Sequence, residues 1–119
     1  MIRCALIVDD DPDFLGLTAR IMATLGVEAV STAENAADAL TAAHQTRPEA
    51  MLVDVGLPDR DGIDLAYELL ELPWRPRVVL TSSDSDAILA LDPSDGRPHL
   101  PFLGKEELGG DTLQRTLDA

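Results

Sequence analysis

Four aspartates, Asp9, Asp10, Asp11 and Asp13, fall within five positions of the stretch IVDDDPDF, directly behind an apolar run. No Lys or Arg lies between Arg3 and Arg20 to offset them. Carboxylates so close together repel one another unless a cation sits among them. Three more reactive side chains follow apolar runs further along: Asp54 after MLV, Thr81 after VVL and Lys105 after FLG. Oxygen-only ligands suit Mg2+, which uses few carboxylates and keeps positions open for water or phosphate oxygens. A carboxylate beside such an ion can attack a phosphoryl group and form an acyl phosphate. A lysine and a hydroxyl would balance charge on the new phosphoryl oxygens.

The elements that must position these groups alternate in kind. Ile2–Val8 reads as a buried strand, followed by an Asp11-Pro12 helix start. A stripe of Phe14, Leu17, Thr18, Ile21 and Leu25 then has helical spacing, closed by Gly26. Val27–Thr32 is a second strand, and Asn35 with Asp38 opens a helix carrying Ala36, Ala39, Leu40 and Ala43. Glu49–Val53 is the third strand, its consecutive apolar residues fitting a strand covered on both faces. The loop from Gly56 to Asp61 leads to a helix with Ile63, Ala66, Tyr67 and Leu70, which Pro73 ends. Arg77–Leu80 is the fourth strand, Asp84–Leu91 a short helix, and Asp92–Pro98 a run of turn residues. Leu100–Leu103 contains Pro101 and suits only a sheet edge. A last helix follows the Gly109-Gly110-Asp111 break, with Leu113 and Leu117 inward.

Strand and helix repeated five times predict a doubly wound α/β fold, a parallel sheet with helices on both faces. Ligands in such sheets bind beyond the carboxyl ends of the strands. Asp9, Asp10, Asp54, Thr81 and Lys105 all fall at those ends. One Asp after a strand is usually a cap or a solvated turn; all of these together are not explained that way.

With 119 residues the chain is read as one domain, 1–119, and its 45% apolar content is that of a globular protein. Nine Lys plus Arg against 22 Asp plus Glu leave a net charge of −13, which would repel a nucleic-acid backbone. The lone cysteine, Cys4, excludes a disulfide framework and is expected as a buried reduced thiol. No apolar run has membrane-spanning length and the N-terminal one is broken too early for a signal peptide, so a cytoplasmic protein is expected.

LIVDDD, LVDVGLPDRDG, VVLTSS and FLGK together resemble the signature of a response-regulator receiver domain of bacterial two-component signalling, over essentially the whole chain. The resemblance implies a flavodoxin-like five-stranded sheet of order 2-1-3-4-5. It implies Asp9 and Asp10 as Mg2+ ligands, Asp54 as phosphoacceptor and further metal ligand, and the backbone carbonyl of Gly56 as another protein ligand. Thr81 and Lys105 would then serve the phosphoryl group, with Thr81 and Phe102 as switch residues. A sensor histidine kinase or phosphotransfer protein would donate the phosphoryl group, and a downstream partner or output domain would read the result. Catalysis would be limited to the domain's own phosphorylation and dephosphorylation.

Three departures from the family pattern stand out. Lys105 is followed by Glu106 rather than proline, so a trans bond and a rearranged loop are expected there. Asp92–Pro98 replaces the usual end of the fourth helix, which is expected to be short or irregular. Gly56 and Ser83 are both small and should leave the phosphoryl group open. Phe102, lacking a hydroxyl, is expected to turn inward and be buried. Asp11 is expected to cap the first helix and Asp13 to lie in its first turn. His44 and His99 are expected at the surface, and Trp74 against the third helix at the end of the sheet away from the site.

Competing readings are a degenerate receiver acting through protein contacts alone, and a haloacid-dehalogenase-type aspartyl-phosphate hydrolase. The second requires Asp-x-Asp with a following Thr or Val and a cap that so short a chain lacks. A calcium loop on Asp9, Asp11 and Asp13 fails because Phe14 replaces the glycine and Arg20 the bidentate Glu.

Overall fold

All five expected strands form. In the computed structural model, which describes residues 2–83 and 100–118, they are β1 (Cys4–Val8), β2 (Ala29–Ala33), β3 (Ala50–Asp54), β4 (Arg77–Ser82) and β5 (Phe102–Gly104). They run parallel in the order β2-β1-β3-β4-β5. This is the doubly wound, flavodoxin-like order, with the winding reversed between β1 and β3. The described helices are α1 (Pro12–Thr24), α2 (Ala36–Thr46), α3 (Gly62–Leu70) and α4 (Gly110–Asp118), with a 3-10 turn at Lys105–Glu107. The expected helix at Asp84–Leu91, the turn at Asp92–Pro98 and His99 lie outside the described residues.

Alternation along each strand divides the core. Leu6, Val8, Met51, Val53, Val78 and Leu80 face α2 and α3. Ala5, Ile7, Leu52, Val79 and Leu103 face the other way, toward Phe14, Leu15 and Met22 of α1 and Leu113 and Leu117 of α4. Ala36, Ala39 and Ala43 let α2 lie close against the sheet. With few aromatics, the apolar burial comes mainly from Leu, Ile, Val and Met side chains on the strands and helices.

Helix starts follow the sequence closely. Asp11 accepts from Asp13 N–H at 3.0 Å with Pro12 next in line, and Asp13 lies in the first turn. Asn35 accepts from Asp38 N–H at 2.8 Å and returns a bond to the Asp38 carboxylate at 3.1 Å. Gly26, just past α1, takes φ 97°, where glycine is favoured.

Some side chains settle differently from expectation. The buried face of α1 is Phe14, Leu15, Thr18 and Met22, while Leu17 is 49% exposed. Both stripes have helical spacing, and packing rather than spacing selects between them. Pro101 lies just before β5, and its carbonyl accepts from Leu80 N–H at 2.9 Å. Cys4 is half-buried rather than buried, its Sγ 3.7 Å from the Thr46 carbonyl. Trp74 also reaches the end of α2, where its indole N–H donates to the Pro48 carbonyl at 2.8 Å. The Arg47 guanidinium lies 4.9 Å from its ring centre, and the exposed His44 meets it edge-on.

The junction of β3 with the loop that follows is the tightest place in the backbone. Gly62 N–H donates to the Val55 carbonyl at 3.1 Å. A Cβ at Gly62 would collide with the Asp54 carbonyl oxygen and stand 2.7 Å from Val55 Cα. Gly62→Ala is therefore expected to destabilise the fold by about 1–3 kcal/mol, the usual cost of overpacking where backbone must move. Urea denaturation measures it, and an unchanged midpoint would contradict the close approach.

Candidate functional site

Every strand end that carries a reactive residue opens on one edge of the sheet. Asp9 follows β1, Asp54 ends β3, Thr81 lies in β4 as the register partner of Asp54, and Lys105 follows β5. One carboxylate oxygen from each of Asp9, Asp10 and Asp54 lies within 4.8 Å of the others. Asp9 is fully buried, Asp54 is 7% exposed and Asp10 is exposed.

Asp9 is held at both oxygens. Its Oδ1 accepts from Asp11 N–H at 2.9 Å, and its Oδ2 is 2.6 Å from Lys105 Nζ. The same ammonium is 3.7 Å from Asp54 Oδ2. Lys105 Nζ thus reaches both acids although Glu106 follows it; no cis peptide occurs among the described residues. Burial works against its charge, but the hydrogen bond to Asp9 and the pull of Asp54, Asp9 and Asp11 prevail, and its pKa is raised.

Burial also acts on Asp54, pushing its carboxyl above the ordinary value, and the neighbouring charges of Asp9 and Asp10 push the same way. Lys105 and the N–H of Gly56 oppose them without cancelling them. The Thr81 hydroxyl is buried and has no hydrogen-bond partner among the described residues. A buried hydroxyl normally finds one, so a partner is owed here. Phe102, paired in register with Leu80, is half-buried against the α3-side core rather than fully buried.

The loop carrying Gly56 is tied at several points. Gly56 and Asp61 form an antiparallel bridge, and Asp61 caps α3 through Ile63 N–H at 2.9 Å. Asp59 reaches across to α2, accepting from Ala36 and Ala37 N–H at 2.8 and 3.1 Å. The bond from Ala36, with that from Ala37, lowers the Asp59 pKa against a smaller opposing desolvation. Sequence reading passes over this cap, because its acid and its helix are 23 residues apart. It also counts Phe14 only as a core residue, whereas the Phe14 ring centre lies 4.7 Å from Lys105 Nζ. Gly56 and Ser83 are both exposed.

A family model for the response regulator receiver domain matches residues 5–93. The chain belongs to that family. An acidic cluster of this kind is typical of the receiver Mg2+ site. Among curated relatives, a protein-glutamate methylesterase/protein-glutamine glutaminase from Halobacterium salinarum is 36% identical over 88 residues, covering 71% of this chain and 25% of that protein. The transcriptional regulatory protein KdpE of Mycobacterium tuberculosis is 38% identical over 89 residues, covering 73% and 39%. The chain thus matches well under half the length of these relatives, and only their receiver stretch. Solved structures agree in fold: NtrX from Brucella abortus superposes with a TM-score of 0.81 at 27% identity, covering 99% of this chain and 27% of that one. A Burkholderia pseudomallei response regulator, described with a phosphorylated aspartic acid, calcium ion and citrate, gives 0.79 at 25%, covering 97% and 66%. No helix among the described residues of this receiver is long and apolar enough to cross a membrane.

The raised carboxyl of Asp54 has a consequence for stability. An acid whose folded pKa exceeds its unfolded value destabilises the fold when ionised. That cost is complete above the folded pKa and is removed as pH falls toward the unfolded value. Asp54→Asn is therefore expected to raise the melting temperature at neutral pH without divalent cation, the gain shrinking as pH falls toward 3.8, the ordinary value. Thermal melts across pH measure it. A variant less stable than wild type at pH 7 would contradict the net burden of charge at this position.

Proposed function

We propose that this receiver takes a phosphoryl group onto Asp54 from a sensor histidine kinase or phosphotransfer protein in the cytoplasm. The phosphorylated form then controls a partner or output domain through the face around β5 and α4. The observation that carries the proposal is the buried Thr81 hydroxyl, which lacks a partner among the described residues and lies beside a carboxylate that has an ammonium 3.7 Å away. A phosphoryl oxygen on Asp54 would give that hydroxyl an acceptor and the ammonium a second anion.

The chemistry needs little from the protein beyond placement. An Asp54 carboxylate oxygen attacks phosphorus and forms the acyl phosphate bond. The bond from phosphorus to the donor atom breaks, and its electron pair leaves with the donor. Thr81 donates a hydrogen bond to one phosphoryl oxygen, and Lys105 neutralises another. The donor set fits Mg2+: three carboxylates contribute oxygens within 4.8 Å, and the exposed Gly56 can offer its carbonyl without a side chain in the way. Asp9, Asp10, Asp54 and the Gly56 carbonyl would hold the ion, and when bound it would offset charge on the incoming phosphoryl oxygens. Catalysis is confined to the domain's own phosphorylation and dephosphorylation; the esterase named for the Halobacterium relative is not carried over.

Incubation with Mg2+ and acetyl phosphate, followed by intact mass measurement, tests the acceptor. One adduct of phosphate mass, lost under mild base and absent from Asp54→Asn, is expected. Undiminished labelling of the variant would overturn the assignment. A wild-type protein that takes no label would instead be an interaction module working without phosphorylation.

Cation binding has its own readout. Asp10 is exposed and shares the acidic site, so Asp10→Asn should leave the stability of the cation-free protein unchanged or higher while reducing the stabilisation that Mg2+ confers. Paired melts with and without Mg2+ measure both quantities. Full retention of the Mg2+ effect would remove Asp10 from the ligand set.

A further inference from the structure

We propose that Phe14 is a positioning residue for Lys105, its ring face fixing where the ammonium stands between Asp9 and Asp54. The inference builds on the phosphoacceptor reading and adds a residue to it. Lys105 is the only lysine in the chain, and its flexible side chain starts from a 3-10 turn that has no side-chain cap. Local structure therefore restrains it weakly, and its restraint must come from across the site. Asp9 supplies an anion at 2.6 Å and Asp54 a second at 3.7 Å. The third side is the Phe14 ring, with its centre 4.7 Å from Nζ, inside the range of a cation–π contact.

The ring itself is well fixed. Phe14 is 9% exposed and belongs to the core cluster that joins α1 to Leu103 of β5 and Leu113 of α4. It arises in the first turn of α1, whose start the Asp11 cap sets. The same short segment that supplies Asp9 and Asp10 thus also supplies an aromatic wall beside the cation. An aromatic face suits this wall because it attracts the ammonium while offering no lone pair to compete with the carboxylates. An aliphatic residue of similar size would pack there but would leave that side of the ammonium desolvated and unrewarded.

The test separates this role from packing. Phe14→Leu should slow formation of the phosphate adduct from acetyl phosphate about fivefold, the effect of a partly buried cation–π contact, at saturating Mg2+. The stabilisation by Mg2+ should be unchanged, and Phe14→Tyr should restore the rate. In a Lys105→Met background, Phe14→Leu should have no further effect. Wild-type speed in the leucine variant, or an equal loss in both backgrounds, overturns the proposal. A second readout does not depend on phosphorylation. Protein labelled with 13C-lysine carries a single lysine side-chain signal, and its Hε protons should be shifted upfield by the ring and lose that shift in Phe14→Leu. Failure of the wild type to accept phosphate would sink the phosphoacceptor reading, and this signal would then decide the contact. A lysine signal at its free position in wild-type protein rejects the positioning role outright.

Discussion

Mutual repulsion among Asp9, Asp10 and Asp54 is the constraint on which the upper edge of this molecule depends. The oxygens lie within 4.8 Å of one another, and Asp9 is fully buried, where water cannot screen its charge. Removing one member of a buried ion pair leaves the other uncompensated, a heavily destabilising arrangement. Lys105 is therefore as much a structural requirement of the cation-free protein as a functional group. Its position explains why so short a strand as β5 is retained at the sheet edge: pairing of Phe102, Leu103 and Gly104 with Leu80, Thr81 and Ser82 delivers the following residue to the acids.

Holding like charges together also requires a backbone that does not yield. The β3–α3 loop shows how this is achieved. Gly62 lies so close to the Asp54 carbonyl that a methyl group would not fit, which fixes the distance between the strand end and α3. Asp61 caps α3, and Asp59 spans to the N-terminus of α2, where its charge is also favoured by the helix dipole. Two acids of the LPDRDG stretch thus serve the loop rather than the cation. The net charge of −13 in part reflects this repeated use of Asp as a backbone acceptor at helix starts, at Asp11, Asp59 and Asp61.

The strands and strand-end residues were readable from the sequence because buried parallel strands are continuous apolar runs and their ends are abrupt, whereas the sheet order came from the family resemblance. Val53 to Asp54 and Leu80 to Thr81 are such ends, and Pro101 correctly marked the edge. Local caps at Asp11 and Asn35 were equally legible, since donor and acceptor are only two or three residues apart. Rotation of a helix about its axis was not: Leu17 and Leu15 both satisfy helical spacing, and only contact with the sheet separates them. Burial of Phe102 and Cys4 was misjudged for a related reason, because each depends on what another element covers. The Asp59 cap and the Phe14–Lys105 contact join distant parts of the chain and leave no periodic trace. The stretch expected to form the fourth helix lies outside the described residues.

The choice of lysine at position 105 follows from the same electrostatics. Every other basic side chain in the protein apart from histidine is an arginine. A guanidinium is a planar fork that binds one carboxylate through two parallel bonds, and such a grip on Asp9 would draw the charge away from Asp54. An ammonium is a compact point charge that can stand 2.6 Å from one acid and 3.7 Å from another at once. Its narrow stem also fits beside the Phe14 ring without displacing the core around Leu103 and Leu113. The raised pKa of Lys105 keeps this charge in place at ordinary pH, since the stabilisation is present below the unfolded value of 10.5 and is lost only as pH rises through the folded value. Close placement of one small cation between two acids, rather than the strength of either pair, is what this edge of the sheet is built to provide.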